Sequence, residues 1–225
     1  MSLVAYAIAD ADPDAIEGVG FDEQPLAGIG HDGLVLVVSR QRSRRPEPTV
    51  QTLWRYEEII EQLMSRHPIL PARFGTVLAD EDEARVALRD RYEELRHRLE
   101  MVRGAVELGI RGSWAHAPAR PPARSGTEYM LGQLDVRHRA QCFAELVDPL
   151  RPLARSSKVK VLPRPAVPLM AAYLVDRDRT EKFREVAAEL DAGFEDGQLV
   201  CTGPWPPYSF AQPETFDLDL QGAPT

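Results

Sequence analysis

Residues 81–103 constrain the fold more than any other part of this chain. Leu88, Tyr92, Leu95, Leu99 and Val102 recur at steps of 4, 3, 4 and 3, which puts them on one side of an α-helix, with Glu and Arg filling the remaining positions. The stripe is heptad-like but lasts barely two to three heptads, too few for a coiled coil. Such a helix has to lay its apolar side on a sheet or on a neighbouring helix of the same chain. The acids at 80–83 suit the positive end of its dipole, and Gly104 marks its end.

The segments before it alternate between strand and helix signals. Residues 3–9, LVAYAIA, read as a buried strand ended by an Asp/Pro-rich stretch. PLAGIG and LVLVVS flank His31, Asp32 and Gly33, and Asp-Gly between apolar runs predicts a β-hairpin. The Arg-rich residues 40–48 follow as a solvated loop. A helix is expected from Thr49 or Val50 to about Arg66, with Leu53, Tyr56, Ile60, Leu63 and His67 on one side and Pro68 as its stop. Residues 69–78, ILPARFGTVL, return as one strand whose Pro71 suggests a sheet edge or a strand start.

After Gly104 the pattern begins again. Residues 105–114 are a strand candidate, and 116–126 a Pro/Arg/Ala-rich loop. Ser125 with Glu128 forms a capping box opening a third helix, with Val136, Phe143, Leu146, Leu150 and Leu153 along one face and Pro149 and Pro152 ending or kinking it. SKVKVLP and LMAAYLVDR are two further strands. Asp178 and Glu181 begin a helix with Phe183, Val186, Ala187 and Leu190 inward and Gly193 as its cap, and QLVCTG is a last strand. The order from Ala105 is β-α-β-β-α-β, a ferredoxin-like arrangement, and the part before it is β-β-β-α-β-α. The expected architecture is α+β in two α+β domains, residues 1–104 and 105–225, the second ending in a Pro/aromatic segment.

Composition narrows the functional classes. A net charge of −8 argues against a general nucleic-acid binder, which needs surplus Lys and Arg to neutralise phosphates. An RNA-recognition sheet would also present exposed aromatics beside basic residues, and the central strands offer only Tyr173. The first residues lack a basic n-region, so no signal peptide is expected, and no run of apolar residues approaches a membrane span. Cys142 and Cys201 lie far apart, which suits a reducing cytoplasm and two small core residues. His31, His67, His97, His116 and His138 stand in no zinc spacing, and no nucleophile elbow, P-loop or dinucleotide fingerprint occurs. Neither a metal, a cofactor nor a catalytic set is expected; Arg73, Glu107 and Asp176 are scattered polar groups without a visible constellation.

Three stretches together resemble one family: LPARFGTVL (70–78) followed by the acidic-start helix, LMAAYLVDRDRTEKF (169–183), and TGPWPPYSF (202–210). They are similar to the gas vesicle GvpF/GvpL family, accessory proteins of prokaryotic gas vesicle formation, and the similarity runs from the first strand to Phe210. The resemblance implies a non-enzymatic, cytoplasmic and vesicle-associated protein that contacts the small hydrophobic shell protein, GvpA, and other accessory proteins. It implies two α+β domains, the second a modified ferredoxin fold. An acidic, soluble partner covering an aggregation-prone shell monomer would act as a chaperone or nucleation factor.

Two surfaces suit that contact: an exposed edge strand, which points to residues 70–78 and to Arg73, Phe74 and Val77, or apolar residues left uncovered in the first domain. Gly203, Pro204, Trp205, Pro206, Pro207, Tyr208 and Phe210 form the family motif, read as a stiff strand exit that fastens the C-terminus onto the second domain. Two other classes stay open, an enzyme of small-molecule metabolism and a regulatory module that binds a small ligand.

Overall fold

The computed structural model describes residues 2–41, 45–115, 125–161 and 169–211. Near-continuous apolar runs build the centre of the first sheet, whose strands are β1 (Ser2–Asp10), β2 (Leu26–His31), β3 (Leu34–Gln41), β4 (Ile69–Pro71) and β5 (Val77–Leu78). Its order is β2-β3-β1-β4, with β5 also on β1, and every pairing is antiparallel. The predicted hairpin joins β2 to β3; Asp32 and Gly33 both take positive φ, 46° and 81°, as the primed turn requires. The register of β1 against β3 slips between Ala5 and Ala7. This bulge lets Tyr6 and Ala7, consecutive in sequence, both join the same apolar cluster as Val4 and Ala9.

Helix α1 (Val50–Arg66) covers that face. Thr49 caps it, its side chain accepting from Thr52 N–H, and Tyr56, Ile59, Ile60 and Leu63 are buried. The expected inward Leu53 is instead exposed and Ile59 is buried, because the buried stripe is turned slightly round the helix, away from Leu53.

The stripe of residues 81–103 is divided between two helices, α2 (Glu81–Asp90) and α3 (Tyr92–Val102), separated at Arg91 with φ −119° and ψ 17°. Leu88, Leu95, Leu99 and Val102 are buried as the spacing predicts. The break swings α3 from the β2–β3 side, where α2 packs, towards β4 and β1. The acids at its start are structural: Asp80 Oδ1 accepts from Glu83 N–H at 2.9 Å, and Glu83 Oε2 accepts from Ala79 N–H at 2.6 Å.

The second unit holds β6 (Ala105–Trp114), α4 (Gly126–Leu146), β7 (Ser156–Val161), β8 (Leu169–Asp176), α5 (Thr180–Ala192) and β9 (Gly197–Trp205). The sheet order is β7-β8-β6-β9, antiparallel throughout. Ser125 Oγ accepts from Glu128 N–H, capping α4, and a 3-10 turn over Asp148–Leu153 follows it, where the two prolines fall. One sheet face carries the core, with Leu108, Ile110, Phe143, Tyr173, Phe183 and Leu199 among its members. Tyr173 lies against Phe183, ring centres 5.1 Å apart, so the lone central-strand aromatic faces the core and is no base-stacking platform. Gly193 ends α5 in right-handed geometry, φ −85°. Cys201 belongs to the core margin, whereas Cys142 is exposed on α4, contrary to a core role for both.

A final short helix, α6 (Tyr208–Ala211), completes the described chain. The chain divides into two units: Met1–Gly104 together with Pro206–Thr225, and Ala105–Trp205. The expected second domain, 105–225, therefore loses its last part to the first unit. Proline and aromatic content signals a stiff, buried segment, but it carries no information about which surface buries it.

Candidate functional site

Residues 69–78, expected as one strand, form a strand, a turn and a second strand along the same side of β1. Ala72 N–H donates to Tyr6 O at 2.8 Å. Thr76 N–H and Oγ1–H both donate to Arg73 O, at 3.0 and 2.7 Å. Gly75 sits inside this turn with φ 77°, a conformation that costs any other L-residue. The chain then rejoins β1 through β5. The glycine is what divides the segment, and the apolar residues around it conceal the break in the sequence.

The turn sends its side chains two ways. Phe74 packs edge-on against Tyr56 at 5.4 Å and against Phe21 at 6.3 Å, and Val77 lies on the same α1-side cluster. Arg73 is exposed, and among the described residues its guanidinium has no carboxylate partner. Of the three residues expected to meet a partner, Arg73 is exposed, whereas Phe74 and Val77 are half-buried against the α1-side cluster.

The edge at β4 is covered as well. Helix α6 packs on β4 and α3, with Pro206, Pro207, Phe210 and Ala211 buried. Arg98 donates to Phe210 O at 3.1 Å, and Tyr208 Oη donates to Glu57 Oε2 at 2.9 Å. A covered edge is a usual protection against strand addition, so β4 offers no free edge to a partner strand. The family motif thus works in two halves. Gly203, Pro204 and Trp205 finish β9 with a cis Gly203–Pro204 peptide and an exposed Trp205, while 206–211 belong to the first unit.

Burial holds the Glu57 carboxyl above its ordinary range, helped by the charge of Glu61 and opposed by the Tyr208 hydrogen bond. A raised folded pKa favours folding fully below the unfolded value, and that contribution is lost as pH rises through the raised one. Glu57→Gln is therefore expected to raise the thermal unfolding temperature near pH ~7 and to leave it unchanged near pH ~4, where the wild-type carboxyl is also protonated. Thermal melts across that range check this. A variant less stable than wild type at the upper pH would show that the charged hydrogen bond outweighs burial.

The first unit holds an apolar cavity on the sheet face opposite α1. A cavity of about 390 Å³ is floored by Ala5, Ile8, Leu36 and Leu70 of the sheet and walled by Ala87 and Leu95 of the helices. Arg73 and Arg91 stand at it as its charged groups, and Ala211 forms part of its lining. Arg91 shares the Glu94 carboxylate with Arg98, and these guanidinium hydrogen bonds, that of Arg91 foremost, hold Glu94 below the usual range. The volume falls in the ~300–1,000 Å³ range of ligand clefts. An apolar floor with cationic groups suits an apolar segment that carries negative charge.

The scattered polar groups Arg73, Glu107 and Asp176 do not converge among the described residues. Asp176 is taken up by Arg155, 2.5 Å away, Glu107 lies almost buried in β6, and Arg73 belongs to the first unit. Among the described residues no group of three or more His, Cys, Asp and Glu could hold a metal ion, and no helix is long and apolar enough to cross a membrane.

Sequence and structure comparisons converge. The family model described as gas vesicle synthesis protein GvpL/GvpF matches residues 2–212. Gas vesicle protein L of Streptomyces sp. (strain CB03234) is 32% identical over 181 residues, 69% of this chain and 67% of that protein. Gas vesicle protein F1 of Halobacterium salinarum is 24% identical over 199 residues, 87% and 84% of the two chains. The crystal structure of gas vesicle protein GvpF from Anabaena sp. PCC7120 superposes with a TM-score of 0.79 at 22% identity, covering 94% of this chain and 96% of that one. The GvpF structure from Microcystis aeruginosa gives 0.79 at 20% identity, covering 94% and 99%. At these identities the two structures establish the shared fold.

Proposed function

The chain belongs to the GvpL/GvpF family of gas vesicle synthesis proteins, and we propose that it serves gas vesicle formation by holding the small hydrophobic shell protein, GvpA, in the groove of its first unit. A role in gas vesicle formation follows from the membership itself. In the finer reading the protein is an accessory or minor structural component, cytoplasmic and vesicle-associated, that also meets other gas vesicle proteins. It acts as a chaperone or a nucleus, keeping an apolar monomer from aggregating until it joins the shell. The role is non-enzymatic and uses no cofactor; the relatives carry gas vesicle names.

The observation that carries this reading is the apolar cavity between the first sheet and α2–α3. We prefer it to an edge-strand contact at 70–78, because α6 packs on β4 and Phe74 and Val77 pack partly buried against the α1-side cluster. Arg73 remains in the contact, at the cavity rather than on a strand edge. We also read the second unit as ferredoxin-like. Its β-α-β-β-α-β order and the sheet order β7-β8-β6-β9 with antiparallel neighbours support this.

The volume of the cavity also suits a small ligand, which is the regulatory-module alternative. A genetic test separates the two. Deleting the gene from a vesicle-forming strain should abolish buoyancy, and the wild-type gene should restore it. A deletion strain that stays buoyant and filled with vesicles would end the proposal.

A further inference from the structure

The sheet of the second unit has a core face and a second face that no described helix of that unit fills. Val159, Ala171, Ile110 and Leu199, one from each strand, pack in the core with Phe143 of α4 and Phe183 of α5. Successive strand residues point to opposite faces, so the residues between them share the other face. Two rows cross it in register. One runs Lys160, Met170, Arg111, Val200 from β7 to β9, and all four are exposed. The next runs Lys158, Ala172, Gly109, Thr202, small residues beside one lysine.

We propose that this face docks an amphipathic helix of a partner protein, apolar along its centre and acidic on both flanks. The spacing fits one helix. Lys160 and Arg111 stand two strands apart, ~9.5 Å, close to the ~10–12 Å diameter of a helix. A helix laid along β8 rests on Met170 and Ala172, with Lys158 and Lys160 on one flank and Arg111 on the other. The floor beside it is flat at Gly109, where a Cβ would stand 2.7 Å from Thr202 Oγ1.

Charge complementarity sets the partner's sign. The chain carries −8 overall and only three lysines, yet two of these and an arginine share this face. Lysines on an edge strand such as β7 are a usual guard against strand addition, but Arg111 lies on the interior strand β6 and guards no edge. Among the described residues neither Lys160 nor Arg111 has a carboxylate partner. The acids of these strands stand at the other end of the sheet, Glu107 nearly buried and Asp176 held by Arg155. The apolar residues make the partner a protein. A nucleic-acid platform stacks bases on aromatics, whereas this face exposes Met170 and Val200 and Tyr173 turns to the core. The surface belongs to the second unit and rests on neither the groove nor the partner proposed for it.

Photo-crosslinking of the full chain in vesicle-forming cells tests it, with a photoreactive amino acid at position 170 and a control at exposed Glu185 on α5. The crosslinked peptide, sequenced by mass spectrometry, should come from a partner protein, carry more Asp and Glu than Lys and Arg, and repeat apolar residues at helical spacing. Lys160→Glu with Arg111→Glu should cut the yield at least ~10-fold, since like charges across an interface cost several kcal/mol. Both positions are exposed, so the thermal melt should stay unchanged. Reversing the acids of the identified segment to lysine should restore the yield with the doubly reversed protein. A yield no higher than at position 185 would overturn the proposal, as would a neutral or basic segment, or a yield indifferent to these charges. Crosslinking to RNA would overturn it by making the face a nucleic-acid platform, and crosslinking to a second copy by making it a self-contact. A failure here leaves the groove reading standing, and a buoyant deletion strain leaves this face standing.

Discussion

Phe210→Ala is expected to destabilise the first unit by about 3–5 kcal/mol, the range for removing a fully buried aromatic side chain. Phe210 is 2% exposed and sits in α6 on β4 and α3, more than a hundred residues after those elements in sequence. A residue so near the end of the described chain would ordinarily tolerate truncation to alanine. Here it completes a core, and its carbonyl holds Arg98. Native-state hydrogen exchange reads the two units separately. Amides of β1 and β3 should lose protection in the variant while those of β6 and β8 keep theirs. The reverse pattern would return residues 206–211 to the second domain, as composition alone suggests.

Ala87→Arg has the largest expected effect on function. Ala87 is exposed on α2 and lines the cavity, so a longer side chain there crosses the groove without entering the core. Exposed helix positions usually tolerate such a change within ±~0.5 kcal/mol. An apolar segment entering the groove would then have to bury or displace an unpaired guanidinium, at a cost of several kcal/mol. Capture of the shell protein should fall by roughly two orders of magnitude, since 1.4 kcal/mol is about tenfold, with the thermal melt unchanged. Co-purification with the shell protein, quantified against wild type, measures it. Equal capture by a folded Ala87→Arg protein would remove the groove from the account.

Much of the fold is legible from local chemistry. Asp32-Gly33 marks the hairpin, Thr49 and Ser125 mark helix starts, and the order of strands and helices after Gly104 is as the pattern predicts. Local rules fail where tertiary contacts decide. Arginine is a good helix former, so nothing in the sequence announces the break at Arg91, and the apolar stripe runs straight through it. Gly75 is the one signal that residues 69–78 hold a turn, and the flanking apolar residues outweigh it. Leu53 and Ile59 flank the inward side of α1 on opposite margins, and local pattern does not decide which of them is buried.

The candidate site is less legible than the fold, because it belongs to no single motif. The groove takes residues from four strands, the turn after β4, two helices and the end of α6, whose positions become neighbours only in the folded unit. Arg73 is visible in its motif, yet its lack of a carboxylate partner among the described residues is not. Phe74 and Val77 look like contact residues because they lie on a proline-marked strand, and the turn at Gly75 directs them into the core. The Pro/aromatic motif identifies the family, but its allegiance to the first unit depends on what lies beside it in space.

Photo-crosslinking in vesicle-forming cells tests the central claim most directly, with a photoreactive amino acid at position 87 in the groove and a control at exposed Lys182 on α5. The account predicts that position 87 crosslinks to the shell protein and position 182 does not. Crosslinks to the shell protein from position 182 alone would contradict it.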